Sequence, residues 1–314
     1  MKLSVVATLY QSAPHIVEFC QRAEAAARRM AGDDYEIVLV NDGSPDRSLE
    51  LAVELAGRDP HIVVVDLSRN FGHHKAMMIG LDTARGEQVF LIDSDLEEEP
   101  EWLAPFASQL GDVGSDVVYG VQNERRGSAW ERLTGNIFYK LFRLTTGIVQ
   151  PNNIVTARLM TRRYVDALLL HREREINIGG LWIITGFKQS PRTVAKHSSS
   201  PTTYSLSKKI NHLVTAVTSF SSLPLVFTFY AGLLISITAL FYIVYLGARY
   251  FSAISPPDGY TTIVASIWLF SGLIIFFLGV QGIYIAKIFS EVKQRPYAII
   301  RHVYGRSNTH EVRS

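Results

Sequence analysis

Two aspartates stand close together at the end of an apolar segment, in QVFLIDSDLEEEP. A strand that ends in Asp-x-Asp places Asp93 and Asp95 on the same side of the chain, where two carboxylates without a cation repel each other. A hard divalent cation that also binds substrate phosphates removes this repulsion, as Mg²⁺ commonly does with one or two carboxylates. The spacing therefore predicts a site for Mg²⁺ or Mn²⁺. The following Glu97, Glu98 and Glu99 are predicted to cap the next helix, whose N-terminus favours negative charge.

Two further polar segments have residues that could contact a ligand. Asp42 lies in NDGSPD, where turn chemistry alone would also account for an aspartate. In RNFGHHKA, Arg69, His73, His74 and Lys75 surround a glycine and begin a helix whose N-terminus attracts anions; a solvated basic helix start is the alternative. Adjacent histidines lack the one-turn spacing that suits zinc, so the segment does not predict a zinc site.

The elements that position these residues alternate along the first 122 positions. Runs rich in β-branched residues occur at 3–9, 36–42, 62–68, 88–95 and 116–122, and helical patterns lie between them at about 15–31, 46–58, 73–85 and 100–110. This alternation predicts a mostly parallel sheet with helices on both faces, with ligands at the carboxyl ends of its strands. There is no GxGxxG and no GxxxxGK[ST], which argues against a dehydrogenase and a P-loop ATPase.

The composition of the 314-residue chain excludes several other classes of protein. With 47% hydrophobic residues the chain is not disordered, and a formal charge of +2 gives no reason to expect nucleic acid as a partner. The one cysteine, Cys20, excludes an intramolecular disulfide and a cysteine-rich zinc site. Such cysteine usage is typical of a reducing compartment, which for the soluble part is most simply the cytosol.

Two stretches without charged residues, 210–248 and 259–286, predict a pair of membrane-spanning helices. We place the spans at about Leu225–Leu246 and Ile263–Ala286; a buried helical hairpin of a soluble protein is the alternative. Lysine and arginine flank the outer ends of the pair, whereas the short loop between the spans has only Arg249. This asymmetry predicts that both termini and the first 200 residues are cytosolic.

An amphipathic pattern precedes the first span. Apolar residues from Leu206 to Phe220 recur at helical spacing, with Lys208 and Lys209 elsewhere around the helix. We interpret it as a helix in the membrane interface, where basic residues meet lipid headgroups, although a helix packed on the soluble domain would show the same pattern.

The order of these motifs resembles the family-2 glycosyltransferases of GT-A fold. The segments that carry the resemblance are SVVATLY, EIVLVNDGSPD, RNFGHHKAMMIGLDTARG and FLIDSDLEEEPE. The two spans and the ending IFSEVKQRP resemble more specifically the polyisoprenyl-phosphate glycosyltransferases, the group of bactoprenol glucosyltransferase and dolichyl-phosphate mannose synthase. The organisation so implied is an α/β, Rossmann-like GT-A domain at 1–203, an amphipathic interfacial helix at 204–223, a transmembrane hairpin at 224–287 and a cytosolic tail at 288–314.

The resemblance also implies roles for individual residues. Thr8, Leu9, Tyr10 and Asp42 would hold the nucleotide base and ribose, and Asp93 and Asp95 the metal on the diphosphate; with Arg69, these two aspartates form the expected catalytic group. Further substrate contacts are expected at Asn153, Arg158, Lys196, His197, Tyr204, Lys208 and Lys209. The segment PNNIVTARLMTRR has Asn152 and Asn153 where many relatives have an aspartate, so a catalytic base is not assigned.

The implied reaction is an inverting transfer of a sugar from a nucleotide-sugar donor to a polyprenyl (undecaprenyl) phosphate, on the cytosolic face of the bacterial inner membrane. Its product is a lipid-linked sugar for glycan modification, and the resemblance suggests a homo-oligomer such as a tetramer. A processive polysaccharide synthase is less consistent with the chain, which has no QxxRW segment and too few spans for a channel. A catalytically inactive, membrane-anchored nucleotide-sugar-binding or scaffold protein is the second alternative, motivated by Gln11, Asn152 and Asn153.

Overall fold

The computed structural model describes residues 1–122, 153–174, 176–196, 218, 221–251 and 259–305. These residues form two compact units. The first unit contains the described residues up to Lys196 together with those from Arg295 onwards, and the second contains the described residues between them. The chain therefore leaves the first unit, passes through the second and returns.

The first unit alternates strands and helices along its first 122 residues, which confirms the predicted pattern. Its elements are β1 (Leu3–Leu9), α1 (Ile16–Ala31), β2 (Tyr35–Asn41), α2 (Ser48–Arg58), β3 (Ile62–Leu67), α3 (His73–Thr83), β4 (Gln88–Leu91), a 3-10 turn (Pro100–Trp102), α4 (Leu103–Val113) and β5 (Val117–Gln122). Every residue of β1, β2 and β3 is buried, as expected of parallel strands covered on both faces.

Seven elements complete the two units after residue 152 of the chain. The first unit adds β6 (Ile154–Thr161), α5 (Arg162–Leu169), α6 (Ile178–Ile184) and β7 (Gln189–Val194). The second unit contains α7 (Leu223–Phe251) and α8 (Tyr260–Val292), and the chain then returns to the first unit as β8 (Ile300–Tyr304). Part of the segment predicted as a C-terminal tail is thus a strand of the sheet.

All eight strands form one sheet in the order β7-β5-β6-β4-β1-β2-β3-β8. β1 pairs in parallel with β2 and β4, β2 with β3, and β5 with β7. β6 and β8 run antiparallel to their neighbours, on the two sides of the parallel group β4-β1-β2-β3. The sheet is mixed and mostly parallel, so the predicted fold class is confirmed.

Close packing of α3 on the sheet positions the start of that helix. A Cβ at Gly80 would clash with a methyl group of Val6 and come within 3.0 Å of Val40, so only glycine lets α3 approach β1 and β2 this closely. Its neighbours Met77, Met78 and Leu81 are buried against the same region. His73 at the N-terminus of α3 is thereby held beside the carboxyl ends of the strands.

The second unit consists of apolar helices. Within α8, Leu269–Val292 is long and apolar enough to cross a membrane, with a mean hydropathy of 2.1 and no part buried in the protein. Leu223–Ile235 in α7 is a shorter apolar helix, and the Tyr284 hydroxyl of α8 donates to the Ser221 carbonyl at 2.6 Å. One candidate span is found among the described residues, so the pair of spans remains a prediction, and most of the predicted interfacial helix at 204–223 lies outside them.

Candidate functional site

A cavity of about 400 Å³ lies at the edge of the sheet where the four parallel strands β1 to β4 end. This is the edge at which α/β sheets bind ligands. The residues that line it are Thr8, Tyr10, Ser12, Asp42, Asn70, Gly72, His73, Asp93, Ser94 and Asp95. The structure thus brings together four of the polar segments that the sequence singled out.

The two aspartates lie in a turn after β4. The strand ends at Leu91, earlier than the predicted residue 95, so the prediction that both carboxylates belong to the strand is wrong. The Ser94 hydroxyl is buried between them, donates to the Thr8 carbonyl at 2.8 Å and lies 3.0 Å from the Ser12 hydroxyl. These bonds fix the turn against the end of β1, with Asp93 half-buried and Asp95 exposed.

His73 connects the aspartate turn with β1. Its Nδ1 lies 3.0 Å from the Thr8 hydroxyl, and its Nε2 lies 3.3 Å from Asp93 Oδ1. Burial alone would raise the pKa of the Asp93 carboxyl, but its contact with His73 and the charges of His73 and Lys196 bring that pKa below its ordinary value. Asp95 is exposed towards the cavity, but the protein around the rest of its side chain partly removes its water; this desolvation raises the pKa of its carboxyl, and the negative charge of Asp93 adds to the shift. No feature of the amino-acid sequence distinguishes His73 from His74, whose Nδ1 is 3.1 Å from the Ile176 carbonyl.

The aspartate turn fits a divalent cation that is shared with a substrate. Asp93 Oδ1 is buried and, apart from the His73 ring at 3.3 Å, has no hydrogen-bond partner among the described residues, and Asp95 presents an exposed carboxylate on the same cavity. The described part of the chain contains no cluster of three or more His, Cys, Asp or Glu that could enclose a metal by itself. Two carboxylates suit Mg²⁺ or Mn²⁺ when phosphate oxygens and water complete the coordination.

Asp42 organises the loop after β3. Its Oδ1 accepts the Phe71 N–H at 2.7 Å and its Oδ2 accepts the Gly72 N–H at 3.0 Å. Burial raises the pKa of this carboxyl, while these two bonds and the positive charges of His73 and Arg69 oppose the increase. Both carboxylate oxygens of Asp42 therefore hold the backbone of the loop after β3, in addition to any contact with a nucleotide.

Glu98 holds the far side of the aspartate turn. It is fully buried, and its Oε1 accepts the Thr156 N–H at 2.9 Å while its Oε2 accepts the Asp93 N–H at 3.4 Å. The prediction that the three glutamates cap a helix is therefore wrong for Glu98, and Glu99 at the start of the 3-10 turn makes no capping bond. A glutamate next to an apolar segment gave no sequence signal for this role, because its partner Thr156 is 58 positions away.

Lys196 lies close to the same glutamates. Its Nζ is 3.2 Å from Glu97 Oε2 and 3.8 Å from Glu98 Oε1. Burial tends to lower the pKa of Lys196, but the carboxylates of Glu98 and Asp93 raise it above its ordinary value, so the ammonium stays charged. A positive charge is thereby held beside the aspartate turn, and its expected contact with a phosphate remains a prediction.

The other expected substrate contacts differ in their positions. Thr8 and Tyr10 line the cavity, whereas the side chain of Leu9 is fully buried in the core. Arg69 is exposed, with its guanidinium 4.1 Å from the centre of the Phe71 ring, and it is not among the residues that line the cavity. Asn153 directly precedes β6, and its carbonyl accepts the Gln122 N–H at 3.0 Å.

Arg158 lies at a second cavity, of about 250 Å³, over β5, β6 and β7. It is fully buried, its guanidinium lies over the Trp182 ring, and its Nε donates to the Thr156 carbonyl at 3.1 Å. Burial lowers the pKa of Arg158 to about 9. The remaining expected residues, His197, Tyr204, Lys208 and Lys209, lie outside the described residues.

Comparison with known proteins gives concordant matches. Residues 4–169 match the model of a family described as Glycosyl transferase family 2. A Mycobacterium tuberculosis (strain CDC 1551 / Oshkosh) protein, named no more specifically than as a glycosyltransferase, is 48% identical over 309 residues, 97% of this chain and 89% of that protein. An undecaprenyl-phosphate 4-deoxy-4-formamido-L-arabinose transferase of Pseudomonas paraeruginosa (strain DSM 24068 / PA7) is 32% identical over 308 residues, 96% and 90% of the two chains.

Among solved structures, that of a mannosyltransferase of Pyrobaculum calidifontis, in complex with GDP-Man and Mn²⁺, has a TM-score of 0.48 and 17% identity to this chain. The match covers 94% of this chain and 88% of that one.

Proposed function

The chain belongs to glycosyl transferase family 2, and on this basis we propose that it transfers a sugar from a nucleotide-sugar donor to a polyprenyl phosphate at the surface of a membrane. The observation that carries the proposal is the Asp93–Ser94–Asp95 turn, which faces a 400 Å³ cavity at the ends of four parallel strands. Carboxylates and polar groups from four segments suit a nucleoside diphosphate with its cation.

The polyprenyl phosphate acceptor is supported by two observations. A relative that matches 96% of this chain is named as a transferase to undecaprenyl phosphate. The apolar helix segment Leu269–Val292 would place this chain at a membrane, where such a lipid is found. An acceptor with a polyprenyl chain explains why a glycosyltransferase has an apolar unit.

The path of the chain supports the proposed topology. Because β8 follows α8 and pairs with β3, the segments before and after the apolar unit lie in the same sheet. The chain must therefore cross a membrane an even number of times between them, as a two-helix hairpin does. With the distribution of lysine and arginine, this supports a domain and both termini on the cytosolic face of the bacterial inner membrane.

In the proposed reaction, a phosphate oxygen of the acceptor attacks the anomeric carbon of the sugar while the nucleoside diphosphate leaves from the opposite side. A single displacement of this kind inverts the anomeric configuration. A cation held by Asp93 and Asp95, when bound, supplies positive charge to the leaving diphosphate. Lys196 holds a further positive charge near the same turn, and Glu98 fixes the backbone of Asp93.

A phosphate acceptor explains why the site can work without an aspartate near Asn153. A phosphate monoester has a second pKa of about 6 and is largely ionised at neutral pH. No base therefore has to remove a proton as the bond between the phosphate oxygen and the anomeric carbon forms. A sugar hydroxyl would need such a base.

We also propose a homo-oligomer, since Gly272, Gly279 and Gly282 on α8 would let helices of neighbouring copies approach closely.

A transfer assay with matched acceptors tests this function. The full-length protein in detergent is incubated with Mg²⁺ and labelled UDP-, GDP- or dTDP-sugars, together with undecaprenyl phosphate or undecaprenol. We expect a labelled lipid with the phosphate alone and none with Asp95→Asn. Equal transfer to the free alcohol would contradict the role of the phosphate, and donor binding without transfer to any lipid would favour the inactive binding protein.

A further inference from the structure

We propose that the C-terminal strand β8 is a positioning element for the nucleotide-sugar cavity and that Arg301 is its main positioning residue. The strand follows the second apolar helix and is not part of the segment that matches the family model, which ends at residue 169. It nevertheless contacts β3 and Ser68, at the start of the loop after β3, and through Asp66 it is connected to Asn41, which precedes the loop after β2. The inference rests on the proposed function only for the identity of the ligand, a nucleoside diphosphate.

A β-bulge directs Arg301 towards the ends of the strands. In the pairing of β3 with β8, Asp66 is opposite His302 and Leu67 is opposite Ile300, so Arg301 is the extra residue at the shift in register. Bulges of this kind redirect a side chain. The Arg301 guanidinium lies 3.3 Å from Asp66 Oδ2 and donates to the Ser68 carbonyl at 2.6 Å.

Asp66 connects Arg301 with β2 through a hydrogen bond to Asn41. Its side chain is only 2% exposed, and its second oxygen, Oδ1, accepts the Asn41 amide at 2.8 Å. Asn41 Oδ1 in turn accepts the Ser44 N–H at 3.3 Å. Arg301, Asp66 and Asn41 therefore form a continuous hydrogen-bonded network across the ends of β8, β3 and β2. A buried carboxylate that loses its cation is unfavourable, so the network depends on Arg301.

Both ends of this network adjoin loops that line the cavity. Asn41 precedes Asp42, which holds the backbone of Phe71 and Gly72, and Ser68 precedes the loop 69–72. A Cβ at Gly43, where φ is +59°, would clash with the backbone of Arg69 and Asn70, so the two loops pack backbone to backbone. A shift of the backbone at Ser68, just after β3, would therefore move both loops together.

The position of the network predicts which kinetic constant changes. Asp93 and Asp95 follow β4, which is separated from β3 by β1 and β2 in the sheet. Arg301 therefore supports the part of the cavity that binds the nucleotide, and a nucleotide contact that is equal in the ground state and the transition state affects KM rather than kcat. We expect Arg301→Gln to raise the donor KM and the dissociation constant of the nucleoside diphosphate about tenfold, with kcat within about twofold.

The test uses the full-length protein in detergent with three variants. Arg301→Gln removes the contact, Arg301→Lys keeps the charge beside Asp66 but loses the forked geometry, and Arg295→Gln is the control, an exposed arginine of the same segment. Hydrogen exchange of the backbone in 68–72 is measured without ligand, and binding of UDP, GDP and dTDP with Mg²⁺ is measured separately. Exchange should be faster in Arg301→Gln, intermediate in Arg301→Lys and unchanged in Arg295→Gln.

Two results would overturn the inference. Equal exchange in 68–72 for Arg301→Gln and the control would show that β8 does not hold the loop. Faster exchange with unchanged affinity for UDP, GDP and dTDP would show that the loop does not position the nucleotide. Hydrogen exchange and nucleotide binding do not involve the lipid. If the wild-type protein did not transfer sugar to undecaprenyl phosphate, the proposed function would be overturned, and these two measurements would still decide the role of Arg301.

Discussion

Replacing Asp42 with asparagine should lower the stability of the protein as well as its affinity for the donor. Asparagine has one acceptor oxygen, whereas Asp42 accepts N–H groups from both Phe71 and Gly72, at 2.7 and 3.0 Å. In Asp42→Asn, an NH₂ group would therefore face one of these N–H donors. Loss of one hydrogen bond to a charged acceptor costs about 1.5–3 kcal/mol, partly offset because burial already disfavours the charge. We expect a loss of about 2 kcal/mol in the free energy of unfolding.

Thermal unfolding by near-ultraviolet circular dichroism measures this loss. For a domain of about 150–250 residues, 2 kcal/mol corresponds to a decrease in Tm of about 4–8 °C. The matched control is Asp95→Asn, since Asp95 is exposed and its side chain accepts only the Glu97 N–H among the bonds of the described residues. The control should change Tm by about 1–2 °C at most and lose turnover instead. If Asp42→Asn kept the wild-type Tm while losing nucleotide binding, our interpretation of its two backbone bonds would be refuted.

Three other predictions concern the metal site, acid stability and topology. Asp93→Asn and Asp95→Asn should each lower turnover by about 10²-fold or more in Mg²⁺ titrations, because each removes a charge from the cation site; near-normal turnover in metal-depleted buffer would contradict this. Although burial tends to raise the pKa of Asp46, bonds from Ser44, Ser48 and Ala13 lower it from 3.8 to about 2, so Asp46 stabilises the fold above pH 3.8 and loses this effect as pH falls through 2. Asp46→Asn should therefore cost about 1–2 kcal/mol in denaturant unfolding at pH 7, with the difference from wild type shrinking towards pH 2. Burial raises the pKa of Cys20 to about 12, so Cys20 should not react with an impermeant thiol reagent. In intact cells this reagent should label Ser255→Cys and not Ser307→Cys. Labelling of Ser307→Cys and not of Ser255→Cys would contradict the proposed topology.

The sequence predicted the strands in which local pattern and tertiary environment agree. β1 to β5 are runs rich in β-branched residues, and the structure has all five within a few residues of the predicted bounds. β7 was not predicted because QSPRTV contains a proline and polar residues, which are permitted at the edge of a sheet but give no strand signal. β8 was not predicted because IRHVY is short, charged and adjacent to an apolar helix, and only its pairing with β3 makes it a strand.

The candidate site shows the same division. Asp93, Asp95, Asp42 and Thr8 could be identified because they lie at or just after the ends of strands in a parallel sheet, and these ends meet at one edge whatever the details of packing. The contacts of Glu98 with Thr156 and of His73 with Thr8 could not, since they join positions 58 and 65 residues apart and depend on how closely α3 packs on the sheet and on the pairing of β6 with β4. Residue type at a strand end is a local property, whereas a partner across the sheet is not.

The pairing of β8 with β3 has a consequence for the biogenesis of the protein. Arg301 and Asp66 are 235 positions apart, so the ribosome completes β3 long before it synthesises the strand that covers it. Until then the nascent domain has an unpaired edge at β3, the kind of edge that promotes aggregation. The strand that closes this edge emerges only after both apolar helices, which the translocon would insert first. If the chain is inserted as proposed, we expect the first unit to mature after membrane insertion, and a chain arrested in insertion to be recognised by chaperones through the open edge.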